Sequence, residues 1–171
     1  MRLPLRQSRL LIRHTKVKYI IIHHSICQYD IPEAKIDNAK FQIPGLINNV
    51  LEKKQPDINY HFILDKIKDD YQIIVCRPFV SMCEFDDIDS NINNAALHIA
   101  VLGSYNFKIP EQRLYEILAY RLLNPIMKHF RINPNLIYFH HDISSNKDET
   151  CPGSFINKEK LITTINRFIV K

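Results

Sequence analysis

The feature that most constrains the fold is an apolar run near the N-terminus that ends in two histidines. Residues 17–22 include Ile20-Ile21-Ile22, whose branched side chains are stiff and favour an extended backbone. Because the run lacks polar alternation, it predicts a strand that is buried on both faces and lies inside a sheet. His23 and His24 would then lie at the strand end, where sheet-based folds place their ligands.

The rest of the chain alternates between strand and helix patterns, which predicts a single α/β domain. Strands 58–64 and 71–75 should form a hairpin, and a kink is expected at Pro125. Residues 79–94 read as a long polar loop, either a functional lid or an insertion. Strands are predicted over 58–64, 71–75, 95–102 and 136–139, and helices over 43–54, 110–130 and from the N-cap Asn157 onward.

The charge of the chain is compatible with an anionic partner. Its net charge is +5, and six positive charges fall in the first eighteen residues. These charges read as a solvated arm, so residues 1–15 are interpreted as a basic N-terminal extension and residues 16–171 as the domain. No basic block with interleaved aromatic residues is present, so we do not expect nucleic-acid binding.

The sequence indicates neither export nor a membrane span. The apolar stretch from Leu10 to Ile12 is closed by Arg13, which is too short for the core of a signal peptide. No apolar run approaches the ~18 residues that a membrane helix needs. The four cysteines form no C-x-x-C pair, which fits a chain made in the cytoplasm.

Two predicted strands end in histidine pairs, and a cysteine follows the second. The pairs are His23-His24 and His140-His141, and Cys151 precedes a Pro-Gly turn. Two histidines and a cysteine with one open position form a known type of catalytic zinc site. The residues alone leave open a second interpretation, in which the histidines merely close the strands and Cys151 is a small buried side chain.

Five short sequence motifs, in the order in which they occur along the chain, resemble those of the type 2 N-acetylmuramoyl-L-alanine amidases. This family includes peptidoglycan recognition proteins and small phage lysozymes. These motifs span roughly residues 17 to 155. They are Ile-Ile-Ile-His-His-Ser, Asn-Tyr-His-Phe-Ile-Leu, Tyr71-Gln with Arg77-Pro78, Ala-Val-Leu-Gly103-Ser-Tyr-Asn, and His140-His-Asp-Ile with Cys151-Pro-Gly. The resemblance implies a mixed central β-sheet flanked by helices.

The resemblance also implies a Zn²⁺ site and roles for individual residues. By this likeness His23, His140 and Cys151 are the metal ligands, and Tyr60 is the catalytic tyrosine beside the attacking water. His24 and His61 are expected in supporting positions. Family members usually carry a lysine two residues before the cysteine, where this chain has Glu149, and Lys147 is the candidate to replace it. Residues 86–90 also lack the histidine-and-glycine motif that many family members carry before the glycine that corresponds to Gly103.

The expected function is therefore zinc-dependent hydrolysis of the amide between N-acetylmuramic acid and L-alanine in peptidoglycan or muropeptides. The alternative is a peptidoglycan-binding module of the same fold that does not cleave. Loss of the cysteine ligand usually marks such modules, and Cys151 is present. We expect a monomer that is made in the cytoplasm and either reaches the cell wall by a holin-type route or recycles wall fragments.

Overall fold

The computed structural model describes residues 11–25 and 58–169, which form one five-stranded mixed sheet with helices. The predicted α/β class is confirmed. The predicted helix over 43–54 and most of the N-terminal extension lie outside the described ranges. The elements are β1 (Tyr19–Ser25), β2 (Phe62–Ile67), β3 (Asp70–Val75), α1 (Ser90–Ala95), β4 (Ala96–Leu102), α2 (Gln112–Ile117), a π-helix (Leu118–Leu123), α3 (Asn124–Phe130), a 3₁₀ turn (Pro134–Leu136), β5 (Ile137–Phe139), α4 (His140–Ile143) and α5 (Lys158–Ile169).

Strand β1 lies inside the sheet, as its isoleucines predict. The strand order is β3-β2-β4-β1-β5, and β1 pairs in parallel with both β4 and β5. Ile20, Ile21 and Ile22 are each 0% exposed. The four mutually parallel strands β1, β2, β4 and β5 therefore end at the same edge of the sheet, where ligand sites of such folds lie.

The two faces of the sheet carry different layers. Ile20 and Ile22 point to a large core that includes Leu114, Leu122 and Ile165 from the flanking helices. Ile21 points to the opposite face, where it packs with Ile88 and Ala96 in a smaller cluster. This second face continues, at the carboxyl ends of the strands, into a group of three buried side chains, His23, His140 and Cys151, which we call the polar cluster.

The hairpin is confirmed, but its first strand begins later than predicted. Strands β2 and β3 are antiparallel, with Phe62 opposite Val75 and a turn at Lys68, whose φ is +57°. Residues 58–61 precede the strand, so the prediction of a strand from residue 58 is wrong there. The physical reason is that Tyr60 and His61 turn toward the polar cluster instead of alternating across the sheet.

The predicted helix over 110–130 is present in three joined segments. Its apolar stripe is confirmed, since Leu114, Leu118 and Leu122 are buried. The middle turn is π-helical, and α3 then begins with Pro125 in its first turn. Proline has no N–H to donate, so a π-helical turn ahead of it accommodates the missing bond without ending the helix.

Two further predictions concern the ends of elements. The predicted loop over 79–94 contains α1 in its last part, and the Asp89 side chain caps that helix by accepting a hydrogen bond from the Asn91 backbone at 2.8 Å. The Asn157 cap of the last helix is confirmed, because its Oδ1 accepts from the Lys160 backbone at 2.8 Å. Within the described residues, the helices are all too short or too polar to cross a membrane.

Arg13 departs from the interpretation of the N-terminal charges as a solvated arm. Its guanidinium is partly buried and donates to the carbonyl oxygens of Ala96 at 2.7 Å and Ser81 at 3.2 Å. Guanidinium offers five donors in a fixed fork, so a single arginine can satisfy several carbonyls of converging loops. Arg13 thus ties the segment before β1 to the loops beside the polar cluster.

Two glycines position the loop that carries Cys151. Gly103 and Gly153 have φ of +151° and +113°, and a Cβ on either would lie 2.6 Å from atoms of Tyr105. A side chain at these positions would therefore be strained and would also collide with Tyr105. Gly103 consequently packs against the ring of Tyr105, and Gly153 packs against its Cβ and backbone.

Candidate metal centre

The register of the sheet brings His23 and His140 together. Strand β1 pairs in parallel with β5, and the last aligned pair is Ile22 with Phe139. The next residue in each segment is therefore His23 and His140, whose ring centroids lie 4.6 Å apart. Both residues are buried, with exposed fractions of 1% and 7%. The mutual approach of the two rings follows from the pairing of β1 with β5 and from the helical turn that begins at His140.

Cys151 completes the cluster from the loop that follows α4. Its Sγ accepts a hydrogen bond from the His24 backbone N–H at 3.1 Å. Its carbonyl accepts from the His141 backbone N–H at 3.0 Å, and His141 Nδ1 lies 2.9 Å from the same oxygen. His23, His140 and Cys151 each offer one atom that could bind a metal ion, and these three atoms all lie within 4.8 Å of one another. The structure thus assembles the three residues predicted as ligands.

The chemistry of this donor set fits zinc. Zinc prefers imidazole nitrogen and thiolate sulfur, and three protein ligands leave a position open for a reactant. Burial, followed by the charges of His98, His140 and His24, lowers the pKa of His23 well below 6.5, so its ring is neutral and able to ligate. Burial raises the pKa of Cys151 to about 12, although the His24 N–H lowers it. A cation in the cluster would offset that burial and favour the thiolate.

A carboxylate contacts the outer side of His140. Asp87 Oδ2 lies 2.9 Å from His140 Nε2 and also accepts a hydrogen bond from the Ser144 hydroxyl. Burial raises the pKa of Asp87, but the bond from Ser144 and the neighbouring His140 have the larger combined effect and lower it. Because an ionised carboxylate orients an imidazole, Asp87 leaves the other nitrogen of His140 for the cluster.

A third histidine, which the sequence interpretation did not select, contacts His23. His98 in β4 is 0% exposed, and its Nδ1 lies 3.0 Å from His23 Nε2. Phe85 stacks on both rings, with centroid distances of 4.3 Å to His23 and 4.8 Å to His98. The sequence did contain a signal for this residue, because His98 is the one polar side chain in the otherwise apolar strand β4.

Tyr60 lies beside the cluster, as predicted. Its ring centroid is 5.5 Å from that of His23 and 5.7 Å from that of Phe85. Burial, followed by the electrostatic effects of Cys151, Cys83 and Glu149, raises the pKa of Tyr60 above its ordinary value of 10. The hydroxyl therefore stays protonated at neutral pH and can donate a hydrogen bond.

The two supporting histidines occupy different positions. The ring of His61 is fully buried, its Nδ1 accepts a hydrogen bond from the His98 backbone at 3.0 Å, and its Nε2 lies 2.9 Å from the Ser81 carbonyl. Burial lowers the pKa of His61 to about 3, so this ring is neutral. His24 acts through its backbone on Cys151, while burial lowers the pKa of its ring to about 4.

Where the family carries a lysine, this chain has Glu149, which lies near the cluster. Lys147, the predicted replacement, lies two residues earlier in the same loop. Lys147 is exposed in a turn, and within the described ranges no hydrogen bond or ion pair joins it to another site residue. Glu149 Oε1 accepts from the backbone N–H groups of Thr150 at 2.9 Å and Cys151 at 2.7 Å. Carboxylate oxygens of Glu149 and Asp87 and a nitrogen of His140 lie within 4.8 Å of one another.

At the carboxyl edge of the mixed sheet, His23, His140 and Cys151 meet, and a carboxylate lies beside one of the two histidines. This arrangement defines an α/β domain with a group of side chains that could hold a metal ion. The chain belongs to the N-acetylmuramoyl-L-alanine amidase family, whose pattern matches residues 13–154. This membership supports a role in peptidoglycan cleavage or recognition. No curated protein matches the chain in sequence.

Solved structures share the fold at low sequence identity. The N-acetylmuramoyl-L-alanine amidase LysC of Clostridium intestinale is 18% identical, with a TM-score of 0.69 and coverage of 97% of this chain and 96% of that one. Drosophila peptidoglycan recognition protein SD is 17% identical, with a TM-score of 0.65 and coverage of 90% and 84%. The endolysin of a Thermus scotoductus bacteriophage is 19% identical, with a TM-score of 0.59 and coverage of 91% and 89%.

Proposed function

We propose that this protein is a zinc-dependent amidase that hydrolyses the bond between the lactyl group of N-acetylmuramic acid and L-alanine of the stem peptide. The observation that carries the proposal is the buried convergence of His23, His140 and Cys151 within 4.8 Å, in a chain of the amidase family. Zinc held by these residues would polarise the scissile carbonyl and lower the pKa of a water molecule toward about 7.

The remaining site residues prepare the reaction. Asp87 orients His140, and the His24 backbone N–H contacts the Cys151 sulfur. We propose that Tyr60 donates a hydrogen bond to the negative charge that develops on the scissile oxygen, because its hydroxyl stays protonated beside His23. Lys147 is the second candidate for this role, and His61 supports the site from behind through the His98 backbone.

A peptidoglycan-binding module that does not cleave is the alternative, and the likeness to a peptidoglycan recognition protein favours it. Against it, Cys151 is retained, buried and directed at the two histidines. We further propose one catalytic domain over residues 16–171, preceded by the extension 1–15, acting as a monomer on peptidoglycan or muropeptides. The net charge of +5 suits a polyanionic wall, and release by a holin-type route is our proposal for localisation.

The test combines metal analysis with product analysis. Purified protein should contain one zinc per chain, and digestion of peptidoglycan should give stem peptides with a free L-alanine N-terminus and glycan that retains its lactyl groups. Cys151→Ser should lose most of the zinc, because a neutral hydroxyl replaces a thiolate. His23→Ala should do the same, whereas His24→Ala, the matched control in β1, should keep the metal. Zinc-loaded protein that binds muropeptides but releases no product would contradict the amidase and favour the binding module.

A further inference from the structure

The contact between His98 and His23 constrains where their protons lie. A distance of 3.0 Å between His98 Nδ1 and His23 Nε2 is a hydrogen bond only if one of these nitrogens carries hydrogen and the other accepts it. Both rings are fully buried, and a buried polar ring without a partner would be costly. The pair therefore needs a fixed choice of donor and acceptor.

Metal binding decides between the two choices. Because His23 Nε2 is engaged with His98, Nδ1 is the nitrogen that His23 can offer to the cluster. An imidazole that ligates through unprotonated Nδ1 carries its proton on Nε2. His23 Nε2 must then donate, and His98 Nδ1 must accept. The opposite arrangement would put the His23 proton on the nitrogen needed for the metal.

The surroundings hold the His98 ring in this orientation. Phe85 stacks nearly parallel to it, at an interplanar angle of 18°. The His98 backbone N–H donates to His61 Nδ1, and the His61 backbone N–H donates to the His98 carbonyl at 2.8 Å. The Ser81 carbonyl lies 2.9 Å from His61 Nε2 and fixes that ring in turn. The backbone at His98 is thus fixed by β4 and by the segment before β2, and its ring is held by stacking on Phe85.

We propose that His98 is a positioning residue that fixes the tautomer and orientation of His23, so that His23 presents Nδ1 to zinc. The proposal rests on the proposed function only in taking zinc as the occupant of the cluster. It gives each ligating histidine its own neighbour, since Asp87 Oδ2 lies 2.9 Å from His140 Nε2. Hydrogen-bond partners of ligands typically contribute 10–100-fold to metal affinity.

The test compares two replacements of His98 that differ in hydrogen bonding. His98→Leu keeps apolar bulk but offers no acceptor, whereas His98→Asn places an amide oxygen close to the former Nδ1 position. Zinc dissociation constants come from competition with a chromogenic chelator, and the unfolding of each metal-free variant is followed by circular dichroism. We expect His98→Leu to weaken zinc binding 10–100-fold and His98→Asn to stay within about threefold of the wild type. If His98→Leu does not fold, His98→Ala supplies the acceptor-free variant.

Phe85→Leu is the packing control, because it removes a ring stacked on His23 at 4.3 Å without removing a hydrogen bond. We expect its zinc affinity to fall less than that of His98→Leu, because the hydrogen bond between His98 and His23 remains. Equal affinities for His98→Leu and His98→Asn, or an equal loss in Phe85→Leu, would overturn the proposal. In the zinc-loaded wild type, nitrogen NMR should show the His23 proton on Nε2, and a proton on its Nδ1 would also overturn it. A wild type that binds no zinc would instead refute the zinc amidase itself.

Discussion

Replacing Tyr60 with phenylalanine should separate chemistry from metal binding. Tyr60 lies beside His23, with ring centroids 5.5 Å apart, but it is not among the three clustered donors. The variant keeps the ring and its contact with Phe85 and loses one hydroxyl. Zinc content should therefore be unchanged, while the step in which charge develops on the scissile oxygen should slow.

The expected magnitude follows from what the substitution removes. One lost oxyanion donor typically lowers kcat by ~10²–10³, or about 2.7–4 kcal/mol of activation free energy. The free energy of unfolding should change by less than about 1 kcal/mol, because the ring contacts remain. KM should change little, since the interaction is made mainly in the transition state.

The pKa of Tyr60 adds a pH signature. Its direction is upward, through burial first and then nearby negative charge, so the protonated donor form persists above the ordinary value of 10. Deprotonation of Tyr60 should therefore not limit the wild-type rate on the alkaline side up to about pH 10. Wild-type and Tyr60→Phe profiles should run parallel over pH 6–9, offset by a constant factor.

The assay measures release of new L-alanine N-termini from intact peptidoglycan, because truncated substrates can themselves depress kcat. Tyr138→Phe is the matched control, since Tyr138 is also partly buried and lies on β5, the strand next to β1. It should retain wild-type activity. A loss below roughly fivefold in Tyr60→Phe, with full zinc content, would refute the donor role.

Three other perturbations test the surroundings of the cluster. His140→Ala should lose zinc and His141→Ala should keep it, as measured by metal analysis, and the reverse would mean that the wrong histidine was assigned. Asp87→Ala should raise the zinc dissociation constant 10–100-fold by removing the carboxylate 2.9 Å from His140, so an unchanged constant would contradict that role. Burial raises the pKa of Asp65 from 3.8 to about 6, so the folded state disfavours the ionised carboxylate. The resulting loss of folding stability is present above pH 6 and disappears as the pH falls toward 4. Asp65→Asn should then raise Tm at pH 7.5 by a few degrees and have a shrinking effect toward pH 4.5, and an equal shift at both pH values would refute the explanation.

The sequence was sufficient where one local pattern determined one structure. The isoleucine run predicted β1, the apolar stretch before Gly103 predicted β4, and Asn157 predicted the start of α5. It was insufficient where a neighbouring element decided the outcome. The start of β2 moved to Phe62 because the preceding residues face the polar cluster, a contact that no local pattern records.

The choice between neighbouring histidines shows the same limit. If both pairs lay in strands, alternation of side chains would explain why only the first histidine of each pair faces the cluster. That reason applies to β1, but β5 ends at Phe139 and His140 begins helix α4. His140 is buried and His141 is exposed because of the helical turn and the hydrogen bond between the His141 backbone and the Cys151 carbonyl. The placement agrees with the prediction, and the physical cause differs.

The partners around the cluster bear on whether the chain cleaves or only binds. Burial raises the pKa of Cys151 to about 12, so a site without a cation would hold a neutral thiol that a small apolar residue could replace. Yet the His24 backbone N–H is aimed at Sγ, His98 lies behind His23, and Asp87 lies behind His140. A surface that only recognises a muropeptide needs none of these groups, whereas a metal centre needs its ligands oriented and its thiolate stabilised. The set of partners, more than the cysteine alone, therefore favours hydrolysis over recognition.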